Sequence, residues 1–346
     1  MTGASGKPRL AIYWASSCGG CEVTLLNVGE QLLRLDDSFE IVFCPCLADF
    51  KLEDVRGYPD GHMDLCLFNG AIHSTENREM AHLLRRKSRI LVAYGSCAHE
   101  GCVPGLANLT STGAILEAVY RNRDFAADPQ GPLPRPCTAV PEGELTLPAL
   151  FESVMTLDQV EQVDYFVPGC PPESPRIWEV LEQFIAVFLG GAAAPPAGSV
   201  LGATDSAVCE ECPRVRACRQ VRRFYRTYEI APDPDNCLLE QGLVCMGVAT
   251  RGGCGALCPR VGMGCRGCYG APEGVVDQGA RMVAAIAALV AAGAPHESEG
   301  SLVEAVEAAM RTVIDPAGTF YRYSLAHSLL RRARVGDDDA RGPREQ

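Results

Sequence analysis

The chain has 346 residues, 47% of them hydrophobic and 21% charged, which is the composition of a globular protein with length enough for two domains. A core of that size needs no covalent staples, so the 18 cysteines are not required as a disulfide scaffold. A formal charge of −12 argues against nucleic-acid binding, no basic stripe being expected to offer phosphates a docking surface.

In chain order, short apolar runs at 9–15, 40–44, 64–68, 89–94 and 164–167 alternate with helical patterns at 22–35, 75–87, 113–120 and 176–188. The alternation predicts a parallel α/β sheet covered on both faces, because each run is nearly all apolar. Residues 1–190 form this first domain, and the Ala-, Gly- and Pro-rich stretch 191–200 reads as a linker. Periodicity then fails until about residue 275, so something other than a hydrophobic core is expected to hold the next segment. Helices are predicted at 275–292, 301–314 and 320–333, completing a second domain at 201–334, and 335–346 is a charged tail.

Nine of the cysteines fall between 209 and 268, opening with Cys209-Glu210-Glu211-Cys212 and closing with Cys265-Arg266-Gly267-Cys268. Such C-x-x-C pairs let two thiolates reach one metal centre without distorting the backbone. A third pair, Cys18 and Cys21, follows the first predicted strand; Cys97 and Cys170 follow two others. Ligands in open parallel sheets lie outside the carboxyl ends of strands, so these four are expected at one site. One pair plus two distant single cysteines suits an iron-sulfur cluster better than a zinc ribbon, and three sets of four suggest a chain of redox centres. Cys44, Cys46 and Cys66 are read as apolar fillers, and Cys102, Cys137 and Cys218 are unassigned. The G-x-G-x-x-G match at 262–267 follows no strand, and the six histidines form no zinc-hydrolase motif, although His99 could tune a cluster through a hydrogen bond. No export signal or apolar stretch of membrane-spanning length is evident, which gives the expectation of a cytoplasmic protein.

These motifs, with Phe68-Asn69-Gly70-Ala71-Ile72, Glu76-Asn77-Arg78-Glu79, Tyr94-Gly95-Ser96-Cys97-Ala98, Pro104-Gly105-Leu106, Pro168-Gly169-Cys170-Pro171-Pro172, and the stretches 232–247 and 249–270, resemble the small subunit of [NiFe] hydrogenases, most nearly the soluble methyl-viologen-reducing type. The first half also resembles the cluster-bearing subunit of NADH:quinone oxidoreductase. The resemblance implies a flavodoxin-like domain followed by an irregular and helical cluster domain. It further implies a proximal cluster on Cys18, Cys21, Cys97 and Cys170, a distal one on Cys209, Cys212, Cys237 and Cys245, and a medial one on Cys254, Cys258, Cys265 and Cys268. Each is expected as [4Fe-4S], with [3Fe-4S] open at one or more. Cys209 stands where many relatives place a histidine. The partner implied is a large subunit carrying the nickel-iron centre, with a further acceptor subunit or a higher oligomer. Glu22 is a weak candidate for a proton route, and a capping role serves it equally well. A quinone-reducing module and a structural zinc platform are the alternatives.

Overall fold

The computed structural model describes residues 6–122, 128–217, 220–292 and 299–331, which fall into two compact units. The first holds the described residues up to Leu201 together with 325–331, and the second is Gly202–Ser324. Cys218 and the tail 335–346 lie outside the described residues.

The first unit runs β1 (Arg9–Trp14), α1 (Gly20–Leu26), α2 (Gln31–Ser38), β2 (Glu40–Phe43), α3 (Leu52–Gly57), β3 (Met63–Asn69), β4 (Ile72–Ser74), α4 (Thr75–Lys87), β5 (Ser88–Tyr94), α5 (Ser96–Glu100), α6 (Thr112–Tyr120), β6 (Cys137–Val140), β7 (Gly143–Thr146), β8 (Leu150–Met155), β9 (Tyr165–Val167) and α7 (Ser174–Leu189). Five strands form a parallel sheet in the order β2-β1-β3-β5-β9, so the α/β expectation is met. Leu10, Ile12, Leu65, Leu67 and Val92 pack under one face, and Ala11, Cys66, Phe68, Leu91 and Ala93 under the other. That alternation along the same strands is why the runs read as continuously apolar.

Register is what positions the site. Trp14 pairs with Asn69, Asn69 with Tyr94, and Tyr94 with Val167, so four strands end level along one edge of the sheet.

Helix α4 begins where the Ser74 hydroxyl accepts from the Asn77 amide (3.3 Å), and its last turn carries Arg85, Arg86 and Lys87 against the helix dipole. Helix α7 buries Ile177, Val180, Leu181 and Phe184 at helical spacing. The single helix expected at 22–35 is instead two, because Gly29 takes the left-handed conformation (φ +67°) between α1 and α2.

In the second unit, 202–277 contains short 3-10 turns and the four-residue α8 (Leu257–Arg260), in keeping with the loss of periodicity. Then come α9 (Gln278–Ala291), α10 (Glu299–Met310) and α11 (Pro316–Phe320). Helix α9 is capped by Asp277, which accepts from the Ala280 amide (2.8 Å), and it turns Met282, Ile286 and Val290 onto Val208, Leu238, Leu243 and Met246. Over the described part of the helix expected at 320–333, α11 ends at Phe320 and turns follow. Residues 325–331 instead pack in the first unit: Gln159 donates to the Ala326 carbonyl (2.9 Å), Asn108 donates to the Arg331 carbonyl (2.8 Å), and a Cβ on Gly101 would lie 2.4 Å from that of Ala326. The apparent helical pattern there reflects burial of separate side chains in turns. Among the described residues no helix is long and apolar enough to cross a membrane.

Phe184→Ala should destabilise the fold by about 3–5 kcal/mol, because its ring is fully buried, whereas Leu189→Ala at the exposed end of the same helix should change stability by less than about 0.5 kcal/mol. Denaturant titration followed by circular dichroism measures the difference.

Candidate metal centres

The level strand ends deliver four loops to one edge, and four cysteines come with them. After β1, Gly19 turns at φ +78° beneath the Trp14 ring and starts α1, which carries Cys21 inward. After β5, Gly95 (φ +81°) starts α5 and places Cys97 in its first turn. The β5 and β9 loops are stitched together by Gly95 N to Val167 O, Ser96 N to Gly169 O (both 2.8 Å) and Gly169 N to Ser96 Oγ (3.0 Å). This holds Cys170 beside Cys97. A Cβ on Gly95 would lie 2.4 Å from Cys21 Sγ, so only glycine lets that thiol sit where it does.

The thiols feel one another. Burial pushes the Cys21 thiol up first, followed by the charge of Glu22 and then by Cys97, Cys170 and Cys18. A thiol held up by burial and by its neighbours, as Cys21 is, is stabilised as a thiolate when a cation binds among them.

A fifth cysteine joins this set. Cys102 is 1% exposed, in a left-handed turn (φ +47°), and its thiol donates to Cys170 Sγ at 3.4 Å. The pair shares a proton unevenly: hydrogen bonds to Cys170 and Cys97, ahead of burial, hold it on Cys102, and the bond from Cys102 lowers Cys170. The C-x4-C spacing after Cys97, closed by the left-handed Gly101, was the signal available for Cys102.

Glu22 is 7% exposed beside Cys21. Asn69 Nδ2, at the end of β3, donates to both its oxygens (2.7 and 2.8 Å) and to Ser17 Oγ (2.9 Å), while Asn69 Oδ1 has no partner. Burial raises the Glu22 carboxyl against the lowering effect of Asn69. The His99 ring lies against Phe166 (centroids 4.7 Å apart) with Nε2 3.6 Å from Glu100.

In the second unit, Cys209, Cys212, Cys237 and Cys245 line one recess of about 360 Å³, counting its open mouth, with Val208, Arg214, Arg216, Leu238 and Pro259. Arg214 braces it by donating to the carbonyls of Pro259 (2.8 Å), Asp233 (2.7 Å) and Asn236 (3.0 Å). The Cys209 thiol is pushed up to about 12, chiefly by burial and then by Cys245, with Arg216 opposing. A Cβ on Gly247 would lie 3.4 Å from Cys209 Sγ.

The remaining set is Cys254, Cys258, Cys265 and Cys268. Cys265 and Cys268 act on each other, and the Cys265 amide donates to Cys245 Sγ (3.2 Å), which joins this set to the previous one. Cys254 is half-buried in the preceding loop, and Cys258 is exposed on α8. Of the expected fillers, Cys44 and Cys66 are buried but Cys46 is exposed, its Sγ 3.5 Å from that of Cys44; Cys137 is exposed on β6.

Among the described residues, no three His, Cys, Asp or Glu side chains close to the spacing of a single bound ion. The sulfurs of a tetrahedral zinc site would stand about 3.8 Å apart. Soft donors ranged around recesses, with glycines where side chains would intrude, fit iron-sulfur clusters.

The NADH ubiquinone oxidoreductase, 20 Kd subunit family matches residues 18–184. Over 289 residues the chain is 36% identical to the iron-sulfur subunit of the F420-non-reducing hydrogenase of Archaeoglobus profundus, covering 82% of this chain and 88% of that one. The chain belongs to the [NiFe]-hydrogenase small-subunit family. A second member of its F420-non-reducing branch, the like-named hydrogenase subunit of Methanothermobacter marburgensis, is 33% identical over 327 residues, 94% of this chain and 96% of that one. A chain of an NAD+-reducing [NiFe]-hydrogenase overlays 53% of this chain and 93% of its own, with 31% identity and a TM-score of 0.45. As a hydrogenase small subunit the chain is part of an oxidoreductase complex.

One expectation from net charge needs correction. Residues 214–226 contain six arginines and no acid, a basic strip that a total of −12 conceals.

Gly95→Ala should displace Cys21 and lower the iron content of the purified protein, while Gly143→Ala, with open space around it, should not. Cys102→Ala should leave the iron content unchanged and Cys170→Ala should lower it, as measured by metal analysis under anaerobic conditions.

Proposed function

We propose that this hydrogenase small subunit relays electrons, one at a time, between the nickel-iron centre of a partner large subunit and an acceptor, through three iron-sulfur clusters. Cys18, Cys21, Cys97 and Cys170 would hold the first, Cys254, Cys258, Cys265 and Cys268 the middle one, and Cys209, Cys212, Cys237 and Cys245 the outer one. The observation that carries the reading is the convergence of the loops after β1, β5 and β9 on one edge of the sheet, bringing thiols together from residues 18 to 170.

Bound clusters would supply one-electron chemistry, and the chain's own residues would set its conditions. Burial of Cys21, Cys97, Cys245 and Cys265 excludes water from the sulfurs. The Cys265 amide and the Cys102 thiol offer hydrogen bonds to Cys245 and Cys170, which favours the more reduced, more negative state. An outer set of four cysteines lacks a neutral histidine ligand, which favours a lower potential there. Glu22, held by Asn69 beside Cys21, is positioned to hold a proton at a carboxylate oxygen. A complete thiol set permits four irons at each centre, and a cytoplasmic complex with a separate acceptor subunit accommodates the whole.

Anaerobically purified complex should contain about 12 iron atoms per chain, with matching acid-labile sulfide, if each set binds four. Nickel should copurify in the large subunit. Zinc without sulfide would overturn the reading.

A further inference from the structure

The strip 214–226 is strongly basic in an acidic chain, holding six of its 31 lysines and arginines in 13 positions; a second basic run, 85–89, is largely paired, Arg85 with Asp164, Lys87 with Asp60 and Arg89 with Asp64. Arg219 lies outside the described residues; of the others, Arg214 is committed to bracing the recess, while Arg216, Arg222, Arg223 and Arg226 are exposed. Acidic groups offset them only partly. Glu210 lies 3.8 Å from Arg216, and Glu229 lies 3.0 Å from Arg223 and accepts from the Arg226 amide. Arg222 donates to the neutral Gln220 (3.4 Å), and Arg223 also stacks over Tyr225.

One end of the strip, Arg214 and Arg216, sits at the outer recess, and Arg226 lines a separate pocket with Tyr225 and Arg266. Arg216 lines the pocket of Cys209, Cys212, Cys237 and Cys245, and it also lines a neighbouring groove that reaches Cys209, Cys237 and Cys245 from the side of α9. Arg281 adds a cation to that groove and Glu240, which accepts from the Ala217 amide, an anion; its other walls are largely alanine, valine and leucine. Val215 and Tyr228, 58% and 85% exposed, supply apolar and aromatic contact beside the arginines. Arginine and tyrosine around a small apolar patch are the composition of a protein interface.

We infer that the strip containing Arg216, Arg222, Arg223 and Arg226 is the docking surface for a protein acceptor with an acidic face surrounding its redox centre. Complementary charge would steer that face onto the recess, where one electron leaves this chain and the acceptor's one-electron centre is reduced by one. The chain's net charge of −12 disfavours approach of an acidic partner away from the strip. The inference rests on the outer recess being where electrons leave.

Stopped-flow reduction of an acidic [2Fe-2S] ferredoxin by the whole complex, reduced with hydrogen, tests it. The second-order rate should fall steeply with added salt, and R222E/R223E should lower it about tenfold or more at low ionic strength, the gap closing at high salt. R222Q/R223Q should give a smaller loss in the same direction, at unchanged iron content. Reduction of a small viologen should be unaffected by either change. A ferredoxin rate insensitive to both salt and charge reversal overturns the inference. So does a variant that loses binding to phosphatidylglycerol-containing vesicles yet reduces ferredoxin normally, since the strip would then face lipid. If the unaltered complex fails to reduce viologen with hydrogen, the relay reading fails instead, and dithionite-reduced complex still tests the strip.

Discussion

Everything in the two units answers to the cost of holding thiols together in low dielectric. Burial, and then neighbouring sulfurs, raise the proton affinity of Cys21 and Cys209, so a set of thiolates would separate if the backbone allowed. The first unit prevents separation by rigid register. Cys21 and Cys97 start short helices directly beyond strands locked in a five-stranded parallel sheet, and Cys170 is bound to the same edge by three hydrogen bonds. The second unit has no sheet and relies on turns crossed by backbone hydrogen bonds, with Arg214 as a strut between the segments that carry Cys212, Cys237 and Cys258.

The thiol sets are held by different means. The sheet edge supports the loops of the first, while turns alone support Cys209, Cys212, Cys237 and Cys245, whose thiols also act on one another. Around Cys254 and Cys258 the support is a glycine loop and a helix of four residues, and the Cys265 amide ties the set to Cys245. A set that is joined to its neighbour through an amide-to-sulfur bond depends on that neighbour for its shape.

Much of this was legible in the sequence because the relevant signals are local. The strands are uninterrupted apolar runs, α4 is bounded by Ser74 and a basic last turn, and the C-x-x-C pairs are covalent neighbours whose spacing survives any fold. What could not be read was set by distance along the chain. Cys102 looked unattached until the sheet brought Cys170 beside it, and Asn69 is an ordinary strand residue until its side chain meets Glu22, 47 positions earlier. The break at Gly29 depended on a conformation that the helical pattern around it masks. The basic strip was visible in the letters, yet averaging charge over the chain cancelled it.

The placement of residues 325–331 in the first unit makes the second unit an insertion within the first. During synthesis, the sheet, all its strands and four of its cysteines emerge early, but the segment under Gly101 and Asn108 leaves the ribosome only after all eight cysteines of the other two sets. The sheet unit's last packed segment is therefore also the last part of the described chain to be made, and its packing under Gly101 and Asn108 can be completed only after the inserted unit has been synthesised.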